Sequence, residues 1–309
     1  MFDFNKNFKW FAGAYAVVII AGIIALSIFG LKLDINFSGG SRFTFTYSDG
    51  VDANEAKTVI EDTIDKEVTV TTSKSLNDDN KKLIVSLQEK DALDADAQAA
   101  MLKALQEKYK DSNVLLGDSN TVSPTVAGSF FAKAVVAVVI ACVGVMIYMG
   151  LRFKNIGGFR AAITALVALV LDVAVTFAIC VFFGLQFDTN VIAVILTILG
   201  YSLNDTIVIY NRVRENKLFF PEKPMRDIVN DSINQVKLRS IITTLTTVIA
   251  MLTILVVSEI YGLTSLRTFT IPILFSLVSG CISSLTISGP LWVMWVEKFP
   301  VKTKKKAKK

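Results

Sequence analysis

Histidine is absent from all 309 residues. Its absence removes the side chain that switches charge near neutral pH and the commonest metal ligand, so neither a histidine switch nor a His-ligated metal is expected. Cysteine is scarce. Cys142, Cys180 and Cys281 lie far apart, each within an apolar stretch. They read as small hydrophobes and not as a disulfide or zinc framework. There is no nucleophile elbow, phosphate-binding glycine loop or metal-ligand cluster, so no enzymatic activity and no cofactor are expected. Charge is thin too: 19% of residues are charged against 52% hydrophobic, and the mean hydropathy of +0.53 is one a soluble domain rarely reaches.

What is present instead is six long apolar stretches, at 10–31, 134–151, 161–184, 189–211, 240–258 and 268–296. A membrane helix needs about 20 mostly apolar residues, so each is read as a span. The first exceeds the usual apolar core of a signal peptide and ends in no clear cleavage site, which makes it a retained anchor. The sixth is long, with Pro272 expected in its first turn.

Lysine and arginine set the expected topology. They gather before span one, around the loop between spans two and three, between spans four and five, and in the tail, while the alternate loops hold almost none. The positive-inside rule puts both termini in the cytoplasm. The expected division is 1–31 (N-terminus and first span), 32–129 (an extracytoplasmic domain), 130–296 (spans two to six) and 297–309 (a basic tail). That tail is read as a solvated retention signal at an anionic membrane surface or as a contact to a ribosome or a translocase.

In the outside segment acidic residues outnumber basic ones, whereas the rest of the chain is basic. The asymmetry marks a separate water-soluble unit. Residues 42–47 alternate aromatic and polar, as a half-buried strand does. Asp52-Ala-Asn-Glu55 is a capping box opening a helix to Ile64. Strands are expected at 68–72, 82–88 and from 113, a turn at 77–80, and a helix at 94–109 with Ala97, Met101, Ala104 and Leu105 on one face. The order β-α-β-β-α-β is that of a ferredoxin-like domain, so the fold class is an α-helical polytopic membrane protein of six transmembrane helices with a ferredoxin-like α/β insertion. Gly39 and Gly40, between span one and this domain, read equally as a turn or as a hinge.

Two spans carry a lone carboxylate. Asp172 lies 12 residues beyond Arg160, about 18 Å along a helix, near the middle of a ~30 Å core. It shares a small or polar face with Thr164, Ala168, Thr176 and Cys180. Asp205 precedes Arg212 by seven residues, about 10 Å, and shares a face with Tyr201, Asn204 and Val208. In span five Arg239, Thr243, Thr246 and Thr247 lie together. A carboxylate at membrane depth costs about 2.5–3.5 kcal/mol on insertion scales and usually marks an ion or proton path. The blander alternatives stay open: threonines as close-packing residues, Arg239 as a flanking positive charge, and either acid as a static hydrogen-bonding group.

Leu199-Gly-Tyr-Ser-Leu-Asn-Asp-Thr-Ile-Val-Ile-Tyr-Asn-Arg-Val-Arg-Glu-Asn216 resembles the span-four signature of the SecD/SecF family of protein-export membrane proteins, on its SecF side. Leu33-Asp-Ile-Asn-Phe-Ser-Gly-Gly40 and Ser232-Ile-Asn-Gln-Val-Lys-Leu-Arg-Ser240 are similar to that family's segments after span one and entering span five. The resemblance implies a resistance–nodulation–division architecture completed by SecD, association with the SecYEG channel, YajC and SecA, a translocating preprotein as client, and protons as the driving ion, with no nucleic-acid partner. It carries the proton-pathway roles onto Asp205 and Arg239, with Asp172, Asn204, Tyr201 and Thr243 as supporting candidates. The family often has a histidine before the span-three carboxylate; here that position is Leu171.

Overall fold

A computed structural model describes residues 2–74, 81–87 and 95–299. Hydrocarbon offers no partner to backbone N–H and C=O groups, so the apolar stretches close their own hydrogen bonds as helices. The first, α1 (Phe4–Phe29), is capped by Asp3, whose carboxylate accepts from the Lys6 N–H. A four-residue helix α2 (Ile35–Ser38) then leads into an α/β unit: β1 (Gly40–Tyr47), α3 (Ala53–Ile64), β2 (Thr69–Lys74), β3 (Lys81–Leu87), α4 (Ala95–Lys108) and β4 (Leu115–Val122). The remaining spans are α5 (Pro124–Arg152), α6 (Gly158–Phe182), α7 (Thr189–Phe219), α8 (Met225–Tyr261) and a last one built of α9 (Thr264–Ser283), a π-helical turn (Ser284–Ser288) and α10 (Gly289–Lys298). Among the described residues, six helices are long and apolar enough to cross a membrane.

Several helices start earlier than their apolar runs. α8 begins 15 residues ahead of position 240 because its first turns bury Ile228, Val229 and Ile233 against Trp292 and Val293 of α10. α5 begins at Pro124 behind a Ser123 cap. Because α9 starts at Thr264, Pro272 lies inside the helix and not in its first turn, a correction to the sequence reading. The bundle is layered: 83% of the last span's apolar window is buried, against 6% of that of α5. α6, α7 and α9 form the interior, and α1, α5 and α8 the rim.

The α/β unit between the first two spans has the expected element order. Its antiparallel sheet runs β2-β3-β1-β4 with both helices on one face, the ferredoxin-like arrangement. Phe43, Phe45 and Tyr47 alternate onto the covered face and meet Leu83, Val85 and Leu87, Ile60 of α3, and Met101 and Leu105 of α4. Asp52 caps α3, accepting from the N–H groups of Asn54 at 2.8 Å and Glu55 at 3.0 Å. The last strand runs on to Val122, which pairs with Gly40, so both ends of the unit meet beside α2 and the start of α5. The expected turn at 77–80, Gln88, Asp94 and most of the basic tail lie outside the described residues.

That joint is tightly built. The Asp34 N–H donates to the Phe187 carbonyl and the Phe187 N–H to the Lys32 carbonyl, fastening the exit of α1 to the α6–α7 loop. Asp34 caps α2 and is ion-paired with Arg42, across the two glycines. Gly39 has φ +79° and Gly40 φ +133°, so both need glycine, and a Cβ on Gly39 would stand 3.0 Å from the Pro124 backbone. Gly39→Ala is therefore expected to lower stability by about 1–2 kcal/mol. A thermal melt of the purified full chain checks this; an unchanged melting temperature would contradict it. Since alanine strains the joint whether or not it moves, only a cross-link separates the hinge from the turn.

Candidate functional site

The two intramembrane carboxylates sit in opposite environments. Asp172 is fully buried on α6, and every hydroxyl that donates to its carboxylate comes from another helix. Ser279 Oγ donates to Oδ1 at 2.8 Å, while Ser202 Oγ of α7 at 2.8 Å and Ser283 Oγ of α9 at 2.9 Å donate to Oδ2. Around this knot, Thr176 Oγ1 meets Ser276 Oγ at 2.7 Å, and the Tyr15 hydroxyl of α1 donates to the Ser279 carbonyl at 2.7 Å. Gly280 lets α9 approach: a Cβ there would lie 3.1 Å from Ser202 Cβ. The expected polar face of α6 is the inward one, with Thr164, Ala168, Asp172, Thr176 and Cys180 all buried.

Asp205 of α7 is 4% exposed, yet its Oδ2 has no hydrogen-bond partner. Its polar neighbour across α8 is Ser240, whose buried hydroxyl acts on the carboxylate as a hydrogen-bond donor does without reaching good hydrogen-bond geometry. Arg239 acts on the carboxylate electrostatically, but the two form no ion pair within 4 Å. Arg239 is instead exposed and lines an open groove with Arg152, Arg212 and Arg214. Buried polar atoms are nearly always paired, so a buried carboxylate oxygen without a well-formed donor is the exception that asks for a reason. A proton on Asp205 would supply the missing donor; an approaching Arg239 would supply the missing countercharge.

The other candidates are spread over the same two helices. The Tyr201 hydroxyl reaches Thr247 Oγ1 at 3.3 Å and Thr244 Oγ1 at 3.5 Å, bracing α7 on α8. Thr243 turns its hydroxyl back to the carbonyls of Arg239 at 2.9 Å and Ser240 at 3.0 Å and does not contact Asp205 through a hydrogen bond. Asn204 is exposed, and no hydrogen bond of its side chain is found among the described residues. Gly39 and Gly40 lie at the outside joint, not at this site.

Residues 101–298 match the family described as protein export membrane protein SecD/SecF, C-terminal. The chain belongs to the SecD/SecF family. It is 31% identical to the SecF translocase subunit of Cereibacter sphaeroides over 289 residues, 91% of this chain and 86% of that one. It is 35% identical to the SecDF subunit of Bacillus subtilis over 300 residues, covering 95% of this chain but 38% of that longer protein. The crystal structure of SecDF from Thermus thermophilus, described as a translocon-associated membrane protein, superposes with a TM-score of 0.79 at 26% identity, over 96% of this chain and 39% of that one. A second SecDF structure, in a super-membrane-facing form, gives 0.68. The chain thus spans under two-fifths of the fused SecDF proteins and nearly the whole of a separate SecF.

For a SecD/SecF member, the features that sequence reasoning missed are the hydroxyls. Ser202, Ser279 and Ser283 hold Asp172, and Tyr210 joins Thr164 Oγ1 and Ser288 Oγ, each at 2.9 Å. A signal existed: in the last span Ser276, Ser279 and Ser283 recur at three- and four-residue steps, and Ser284 and Ser288 stand four apart beside them. Four of the five are fully buried and Ser279 nearly so.

Proposed function

We propose that this chain is the SecF-type subunit of a protein translocase: paired with SecD, it uses the proton-motive force to promote preprotein movement through SecYEG after SecA has acted, with YajC as an accessory. Both termini then face the cytoplasm and the α/β unit faces the exported preprotein. Support for a SecD partner comes from the fused relatives and from Asn204. An amide exposed at membrane depth costs several kcal/mol when unpaired, and a facing helix bundle would pair it. Asn204→Leu is expected to reduce co-purification of SecD from membranes severalfold; undiminished recovery would remove that support.

The single observation that carries proton coupling is the unpartnered Asp205 Oδ2 beside Ser240, with Arg239 near but unpaired. In a low dielectric, bringing Arg239 up favours the anion and withdrawing it favours the acid. Each transit of a charge through 100 mV supplies about 2.3 kcal/mol, enough to bias two arrangements of α7 against α8. Preprotein import into vesicles bearing the complex, with and without a proton gradient, tests the reading. Wild type should respond to the gradient, and Arg239→Met, which keeps length but not charge, should not. Equal response in both would return Arg239 to a flanking charge and favour a passive scaffold.

A further inference from the structure

We propose that the arginine-lined groove at the bundle end carrying the chain termini is a binding site for the headgroup of an anionic phospholipid. The groove lies between the ends of α5, α7 and α8, with a cavity of about 490 Å³, within the usual range for a small-ligand site. Arg152, Arg212, Arg214 and Arg239 line it, and Glu215 is its one acid. Glu215 is already engaged, 2.9 Å from Arg212 Nη1. No acidic side chain among the described residues lies within ion-pair distance of Arg152, Arg214 or Arg239, so the groove keeps an uncompensated positive charge. Gln235 Oε1 accepts from Arg212 Nε at 2.6 Å and from Asn216 Nδ2 at 3.0 Å, which fixes its amide and leaves the NH2 as a further donor. Guanidinium forks and an amide are the donor set that phosphate oxygens take.

Its position selects a lipid. Arg152 ends α5, and Arg212 and Arg239 lie where the apolar runs of α7 and α8 stop, which is headgroup level. Beside two of the arginines the chain presents bare apolar side chains, Leu151 at 69% and Leu238 at 64% exposure. A phosphate in the groove with acyl chains along those leucines satisfies both chemistries, as basic clefts between transmembrane helices do for anionic lipids. The groove also borders Arg239, so an occupying phosphate would compete with Asp205 for that charge. The binding claim stands apart from proton coupling because its readout is lipid retention.

Native mass spectrometry of the full chain, released from detergent micelles containing equal phosphatidylglycerol and phosphatidylcholine, tests it. Wild type should retain phosphatidylglycerol preferentially, and R152Q/R214Q should lower that preference by about tenfold. R152K/R214K should keep most of it, and K6Q/K9Q, removing equal charge elsewhere at the same end, should leave it intact. Equal retention of the two lipids by wild type would overturn the proposal, as would an unchanged preference in R152Q/R214Q. Displacement of the lipid by millimolar inorganic phosphate would show a free-anion site and overturn the lipid assignment. Loss of preference in K6Q/K9Q would reduce it to general surface charge.

Discussion

Asp205→Asn is expected to abolish the gradient-dependent part of preprotein translocation while the complex with SecD still assembles. The substitution keeps the shape of the side chain and fixes it neutral, so helix packing has no cause to change. What it removes is the alternation between acid and anion. The present environment suits that alternation: one carboxylate oxygen has no well-formed donor, the nearest hydroxyl interacts only loosely, and the arginine is close without being bound. Asparagine offers an N–H2 to Ser240 and no countercharge to Arg239, which locks the pair in the equivalent of its protonated form. Residual gradient-independent translocation should be close to wild type. Full gradient response in Asp205→Asn vesicles would transfer the role to another residue.

Asp172→Ala is expected to have the largest effect on stability in the membrane bundle. Alanine would take the carboxylate from Ser202, Ser279 and Ser283 together, leaving them only longer second contacts to Ser284, Tyr15 and the Gly280 carbonyl, and would leave a cavity where α6, α7 and α9 meet. Interhelical hydrogen bonds in membranes average only about 0.6 kcal/mol, but three are lost at once and the cavity adds to the loss, so about 2–4 kcal/mol is expected. Asp172→Asn should lose less, because it still accepts through one oxygen. Thermal unfolding in detergent, followed by size-exclusion recovery, reads both. A melting temperature for Asp172→Ala equal to wild type would mean the serine knot holds nothing together and would reopen Asp172 as a proton carrier.

The contrast between these two acids shows where the sequence stops being readable. Span number, the element order of the outside unit and the polar stripe on α6 all follow from local periodicity, because each residue's environment there is set by neighbours three or four positions away. Which acid is satisfied is not local. The donors to Asp172 come from residues 30, 107 and 111 positions away, so only helix packing decides it. The same holds for Asn204 and Asp205. Consecutive residues stand about 100° apart on a helix, which lets one face outward and the other inward, and no pattern in the chain says which. The early starts of α5 and α8 were hidden for a related reason: both lie outside the apolar runs, and the first turns of α8 set Ile228, Val229 and Ile233 among polar residues. At the outside joint, the two glycines were visible but their positive φ values and the Asp34–Arg42 pair that spans them were not.

The most direct measurement is proton flux itself. Purified SecD and this chain, reconstituted together in vesicles holding a pH-sensitive dye, can be given a pH gradient and an engaged preprotein. The account predicts that wild type dissipates the gradient faster than empty vesicles and that Asp205→Asn falls to the empty-vesicle rate. Dissipation by Asp205→Asn at the wild-type rate would contradict it.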